Sequence, residues 1–303
     1  MNSWPPEEYI TFIPELEKYR EHLHHPLPIY IRINTLKASK EYILNVLKNE
    51  SLSLEPTNID YFFLSKGQED LGNLLSYHLG YIYPQALASA LPVVALAPKP
   101  KDFILDLCAA PGGKTTHIAQ LTSDSSTIIA NDRSYGRLTA LSANLKRCGI
   151  TSVMVTQCRG EHFPYGERFD KILLDAPCSG EGKYRIGKNG QLLFNVEGRT
   201  NLPAIQKGLI VRAFDLLKPG GTLVYSTCTL NPEENEGVIA MLLKKRHAVI
   251  QAWTPPLPWH KGLTQFKNNV YPKQVENCRR FYPHQIDSVG FFVAKIIKPK
   301  QDG

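Results

Sequence analysis

The stretch Phe103-Ile-Leu-Asp-Leu-Cys-Ala-Ala-Pro-Gly-Gly-Lys-Thr-Thr116 confines the fold more than any other part of the chain. Phe103 to Leu107 is an apolar run of strand formers interrupted only by Asp106. Small residues and Pro111 then break the run, Gly112 and Gly113 permit a tight turn, and Lys114 to Leu121 reads as a helix. Strand, glycine turn and helix open a βαβ unit, whose turn brings backbone close to a bound ligand. The residues argue against two common ligands. Gly113-Lys114-Thr115 looks like the end of a phosphate-cradling loop, but that loop needs a glycine where Cys108 stands. The dinucleotide spacing Gly-x-Gly-x-x-Gly is absent as well.

What remains is a loop for S-adenosylmethionine, with the small-residue turn passing under the methionine and ribose. Asp132 agrees with this. It ends the apolar run Thr127-Ile-Ile-Ala-Asn-Asp132, about 20 residues past the glycines, where an acidic side chain grips ribose hydroxyls in such a unit.

Further along, apolar strands alternate with helical segments. Strands are expected at 103–107, 127–132, 153–156, 169–175, 222–226 and 291–297, with a weak one at 248–253, seven in all. Helices are expected at 135–148 and 204–217, the latter stopped by Lys218-Pro-Gly-Gly221, and from Pro232 with Asn231 as N-cap and Glu233 and Glu234 in the first turn. The pattern implies an α/β, mostly parallel sheet covered on both faces. Ahead of it, an alternating strand at 29–36, a helix at 40–49 and a strand at 61–64 make a small α+β module. The domains are accordingly placed at 1–76 and 77–303, with a helix at 83–95 opening the second. Arg32 and Lys37 are candidate phosphate contacts, or plain surface charge. Trp259 and Arg279-Arg280 are placed near the substrate.

Two cysteines follow strands: Cys178 in Leu174-Asp-Ala-Pro-Cys-Ser-Gly180, and Cys228 in Tyr225-Ser-Thr-Cys-Thr-Leu-Asn-Pro-Glu-Glu-Asn235. Sites in open α/β sheets form at the carboxyl ends of strands, so the two thiols are expected beside each other and beside the cofactor. Cys148, Cys158 and Cys278 read as packing residues. No Cys-x-x-Cys pair occurs, so neither a disulfide framework nor structural zinc is supported.

Together, Asp106-Leu-Cys-Ala-Ala-Pro-Gly-Gly-Lys114 and the two cysteine motifs resemble the RNA 5-methylcytosine methyltransferases of the RsmB/RsmF and Sun type. The resemblance begins at Arg32-Ile-Asn-Thr-Leu-Lys37 and covers nearly the whole chain. It implies a Rossmann-like seven-stranded S-adenosylmethionine-dependent methyltransferase domain behind a small N-terminal RNA-recognition-like domain. It also implies Cys228 as nucleophile, Cys178 in product release, and catalytic support from Asp175 and Lys114. Asp175 either donates to ring nitrogen 3 as a protonated acid or accepts from the exocyclic amine. The implied cofactor contacts are Cys108, Ala109, Ala110, Pro111, Gly112, Gly113, Lys114, Asp132 and Asp175. At the position where the family usually has an acidic contact to adenine this chain has Arg159, with Glu161 or a backbone carbonyl expected to take over. The resemblance points to RNA as partner, ribosomal RNA ahead of transfer RNA.

The net charge of +7 and the pI near 9.0 suit a polyanionic partner. The glutamates at 7, 8, 15 and 17 are unlike a signal or transit peptide, and no apolar run approaches membrane-spanning length. A soluble cytoplasmic monomer with reduced thiols and no metal is the expectation. A non-catalytic assembly factor that binds RNA and cofactor is the competing class.

Overall fold

The computed structural model describes residues 4–67, 70–166, 168–193 and 201–300. A 3-10 turn, Glu7–Tyr9, and helix α1, Leu16–His22, come first. Strand β1, Tyr30–Ile33, then leads through helix α2, Lys40–Asn49, to β2, Ser53–Pro56, and β3, Phe62–Lys66. A short helix α3, Leu75–His78, precedes β4, Ile82–Pro84. The four strands form an antiparallel sheet in the order β2-β3-β1-β4. Alternation in β1 buries Ile31 and Ile33 under α2 with Ile43, Leu47, Phe63 and Ile82. The sheet thus takes its last strand from beyond residue 76, the expected limit of the module.

The segment expected as a helix over 83–95 divides. Tyr83 pairs opposite Arg32 in the small sheet, and after a 3-10 turn, Leu87–Ala90, the helix proper is α4, Leu91–Leu96. Pro84 explains the break, since the residue before a proline is pushed into extended backbone.

The large sheet is built from β5, Phe103–Asp106; helix α5, Gly113–Leu121; β6, Thr127–Asn131; helix α6, Tyr135–Cys148; and β7, Val153–Thr156. It continues with β8, Phe169–Asp175; helix α7, Leu202–Leu216; β9, Leu217–Thr227; and helix α8, Glu236–Lys245. Beyond these lie β10, Val249–Ile250; β11, His260–Lys261; a hairpin of β12, Gln265–Phe266, with β13, Asn269–Val270; β14, Arg279–Phe281; helix α9, Pro283–Ile286; and β15, Phe291–Ile297.

The order is β11-β14-β15-β9-β8-β5-β6-β7, with β10 also paired to β15. From β9 to β7 the neighbours are parallel, and β15 runs antiparallel to β9. All seven expected strands occur, and β11 and β14 extend the sheet. The Lys218-Pro-Gly-Gly221 stop is absorbed as a bulge inside β9, between the pairs Phe169–Leu217 and Lys171–Thr222.

Apolar residues point both ways from the sheet. Leu105, Ile172, Leu174 and Tyr225 meet α7, α8 and the N-terminal Tyr9, Ile13 and Tyr19 on one face. Ile104, Leu173 and Val224 meet α4, α5 and α6 on the other. Residues 4–23 therefore pack on the large sheet and its helices and not on the small sheet.

Arg32 does not reach phosphate. It is only 1% exposed, because in β1 it points away from Ile31 and Ile33. Its Nη2 donates to Thr116 Oγ1 at 2.6 Å and its Nε to Gln85 Oε1 at 3.2 Å, and it also donates to Gln120 Oε1. Strand alternation aims the guanidinium at α5, where it ties the small sheet to the large one. Lys37 is exposed.

Arg280 is likewise not at a substrate surface. It makes a forked pair with Glu236, at 2.6 and 2.5 Å, with side chains 1% and 0% exposed. Arg279 is buried too, its guanidinium 3.8 Å over the Trp259 ring and its Nε donating to Trp253 O at 2.8 Å. Breaking a buried pair from one side strands the other charge. Glu236→Ala is expected to lower unfolding free energy by about 3–5 kcal/mol, read by urea titration. The double substitution Glu236→Met with Arg280→Met should cost much less.

Candidate active site

The turn between β5 and α5 is shaped by contact. Gly112 has φ +105°, and a Cβ there would lie 2.7 Å from Leu141 Cδ1 on α6. Neither backbone nor space tolerates a side chain. Ala109 N donates to Asn131 O at 2.8 Å, and Asn144 Nδ2 to Pro111 O at 3.0 Å, so both neighbouring elements hold the turn.

The thiols follow from register. β8 and β9 pair in parallel with Asp175 opposite Ser226, and Ala176 N donates to Ser226 O at 2.9 Å. The two chains leave the sheet together, and Cys178 Sγ lies 3.4 Å from Cys228 Sγ. The two thiols are thus brought together at the ends of neighbouring strands.

Behind the thiols, two carboxylates clamp the loops. Glu234 Oε2 accepts from Ser179 N at 3.0 Å and from Gln206 Nε2 at 2.8 Å. Glu181 Oε2 accepts from Thr229 Oγ1 at 3.0 Å, and Tyr9 donates to the same carboxylate at 3.2 Å. Thr229 and Ser179 hydroxyls meet at 2.7 Å. Asn231 caps a turn, accepting from Glu233 N at 2.9 Å, but the helix starts only at Glu236. Glu234, expected in a helical first turn, is buried because it serves the clamp.

Burial pushes the Glu181 carboxyl up to about 7, partly opposed by the Thr229 hydrogen bond and reinforced by Glu234. The hydrogen bond from Cys178 draws Cys228 down to about 7, against burial and with help from Lys183. The same interaction, together with burial, holds Cys178 well above an ordinary thiol. One sulfur is thus disposed to be a thiolate and the other its proton donor.

Lys114 Nζ lies 2.7 Å from Asp175 Oδ2 and 2.8 Å from Ser89 Oγ, while Ser226 Oγ donates to Asp175 Oδ1 at 2.8 Å. Lys114, Asp175 and Cys228 share a cleft of about 340 Å³ with Asp106, Arg137, Lys183, Phe291 and the turn from Cys108 to Pro111. Gly112 lies behind this lining. So does Asp132, 3% exposed, where it accepts from Ala110 N at 3.3 Å and pairs with Arg137 Nη1 at 3.1 Å. Arg159 stands apart from the lining, 64% exposed and 3.5 Å from Glu161.

Asp106, Arg137 and Lys183 were not singled out from sequence. Asp106 carried a signal, being the one polar residue in an apolar strand. Its Oδ2 accepts from Thr115 Oγ1 at 2.7 Å, while Oδ1 is buried with no partner among the described residues. Among the described residues no group of His, Cys, Asp and Glu is arranged to hold a metal, and no helix is long and apolar enough to cross a membrane.

Residues 93–297 match the family described as 16S rRNA methyltransferase RsmB/F. The chain is 39% identical to the tRNA (cytosine(49)-C(5))-methyltransferase of Pyrococcus abyssi, over 97% of this chain and 95% of that one. It is 36% identical to the ribosomal RNA small subunit methyltransferase F of Aeromonas salmonicida, over 98% of this chain, and it spans 64% of that relative's length. It spans 48% of the fission-yeast 25S rRNA (cytosine-C(5))-methyltransferase nop2, at 37% identity. Among solved structures, NSun6 from Pyrococcus horikoshii with SFG, an analogue of S-adenosylmethionine, superposes with a TM-score of 0.83 at 27% identity, covering 97% of each chain.

The cleft fits S-adenosylmethionine. Asp106 on its lining keeps an unpartnered acceptor in Oδ1, and the small-residue turn from Cys108 to Pro111 brings backbone to the cleft.

The clamp has a pH signature. Glu181 holds its proton more tightly folded than unfolded, since its folded value lies above the ordinary 4.5. That contribution is complete below about 4.5 and is lost as pH rises through about 7. Glu181→Gln, neutral throughout, is expected to gain on the native protein over this window by up to about 3 kcal/mol. Urea titrations at both ends of the window check this; an equal difference at both would contradict it.

Proposed function

This chain belongs to the RsmB/F family of S-adenosylmethionine-dependent RNA cytosine methyltransferases, and on that premise we propose that it methylates carbon 5 of a cytosine in ribosomal RNA with Cys228 as nucleophile. The observation that carries the reading is the thiol pair, one sulfur drawn down and its neighbour held up, 3.4 Å apart at the cleft.

The pyrimidine explains the need for it. Carbon 5 of an aromatic ring is a poor nucleophile. Addition of the Cys228 thiolate at carbon 6 breaks the aromaticity and makes carbon 5 enamine-like. S-adenosylmethionine supplies an electrophilic methyl group. A base then takes the proton from carbon 5, the carbon–sulfur bond breaks, and Cys228 returns to a thiolate, with Cys178 serving this release. Dividing one hard step into easier ones is what covalent catalysis achieves.

Asp175, ion-paired to Lys114 and accepting from Ser226, is better suited to accept from the exocyclic amine than to donate to ring nitrogen 3. The cofactor is held by the turn from Cys108 to Lys114, with Asp106 and Asp175 toward the methionine end and Asp132 on the ribose. Arg159 offers no acceptor to the adenine amine, so Glu161 or a backbone carbonyl takes that contact.

Transfer RNA is the second reading, supported by the near-complete mutual coverage with the archaeal tRNA enzyme. The ribosomal reading rests on the runs Cys178-Ser-Gly-Glu-Gly-Lys183 and Tyr225-Ser-Thr-Cys-Thr-Leu230, which are most like the RsmF branch. Bisulfite sequencing of total RNA from a deletion strain separates the two by where cytosine methylation disappears.

Two measurements test the residue roles. Cys178→Ala should accumulate RNA bound through denaturation, a slow gel band that requires cofactor and Cys228, whereas Cys228→Ala should give neither adduct nor product. The opposite pattern would move the nucleophile to Cys178. Asp132→Ala should weaken cofactor binding 10- to 100-fold, about 1.4–2.8 kcal/mol by calorimetry; unchanged affinity would remove Asp132 from the ribose.

A further inference from the structure

The loop that carries Cys178 turns back at Gly180 and brings Lys183 to the cleft wall beside Cys228. This approach is fixed by backbone. Gly182 N donates to the Cys228 carbonyl at 2.9 Å, and Gly290 N donates to Gly182 O at 2.9 Å. A Cβ at Gly182 would stand 2.3 Å from Gly290 O, so only glycine lets the turn lie this close. From below, Tyr9 holds Glu181, and the Trp4 ring meets Tyr184 at 4.7 Å. Lys183 is therefore a long cation on a rigid turn bonded to the backbone of the nucleophile.

The ionisable groups facing Cys228 are Cys178, Lys183, Asp175 and Lys114. Asp175 disfavours a thiolate, and Lys114 sits on that same carboxylate at 2.7 Å, which largely cancels its charge at the sulfur. The Lys183 ammonium lines the same cleft wall as Cys228, and its charge favours the thiolate.

We propose that Lys183 is a positioning residue that maintains Cys228 as a thiolate in the free enzyme, so that the nucleophile is charged before any RNA arrives. This rests on Cys228 being the nucleophile. The proton of Cys228 passes to solvent, the ammonium stays protonated, and the pair carries no net charge. When sulfur bonds to carbon 6 its negative charge moves into the ring, and Lys183 is left beside a neutral thioether. Elimination restores the thiolate, which the ammonium again stabilises as a leaving group.

The test needs neither RNA nor cofactor. The rate of iodoacetamide alkylation at Cys228, followed by peptide mass spectrometry, is measured against pH in the full-length protein. The native protein should show a midpoint near 7. Lys183→Met and Lys183→Gln should both move it upward by about one unit, making alkylation at pH 6 about tenfold slower. Lys183→Arg should restore the native profile. An unmoved midpoint in Lys183→Met overturns the proposal. A native midpoint in Lys183→Gln overturns it as well, since a neutral donor would then suffice. Should Lys183→Met fail to fold, the Gln and Arg pair decides alone. The Cys178→Ala trapping assay is read separately, so an error in the cytosine chemistry is distinguishable from an error about Lys183.

Discussion

Parallel pairing of β8 with β9, with Asp175 opposite Ser226, is the constraint from which the active site follows. In a parallel pair both chains leave at the same end, and neither can return without a crossover. Whatever follows Asp175 must lie beside whatever follows Thr227. Two cysteines at those exits meet at 3.4 Å without special packing. Keeping them there is harder, because loops off a sheet are free to drift. Glu234 and Glu181 supply that restraint from two sides, with Thr229, Ser179 and Gln206 closing the network.

The site is also asymmetric, although its two thiols are chemically alike. Cys178 is enclosed and near carboxylates, while Cys228 faces the cleft and its cations. Environment, not residue type, sets the two sulfurs apart, drawing one down and holding the other up.

What was legible in the sequence was whatever local chemistry dictates. The Asp106 to Lys114 turn, the seven strands and the meeting of Cys178 with Cys228 follow from periodicity and from where α/β sheets build sites. Side-chain destinations did not. Arg32 sits in an alternating strand, and alternation alone does not say whether its face meets solvent or a second sheet; here it meets α5. Arg280 reads as a free cation until its Glu236 partner, far off in sequence, is known. Glu234 fitted a helix start, but its carboxylate was needed by Ser179 and Gln206, and the helix begins later. β11 and β14 span two and three residues, too few for any periodic signal.

The early residues of the chain rest on late ones. Tyr282 OH donates to Phe12 O at 2.9 Å, and Tyr9 packs on Phe266 while holding Glu181. A polypeptide made from its N-terminus exposes Tyr9 and Phe12 long before residues 266 and 282 have been synthesised. Contacts so distant in sequence form late, after the loop between them has been closed. The turn beneath the thiols is therefore completed among the last parts of the fold. A nascent chain that already holds both cysteines still lacks Phe266 and Tyr282, the residues that back Tyr9 and Phe12 beneath the thiol loops.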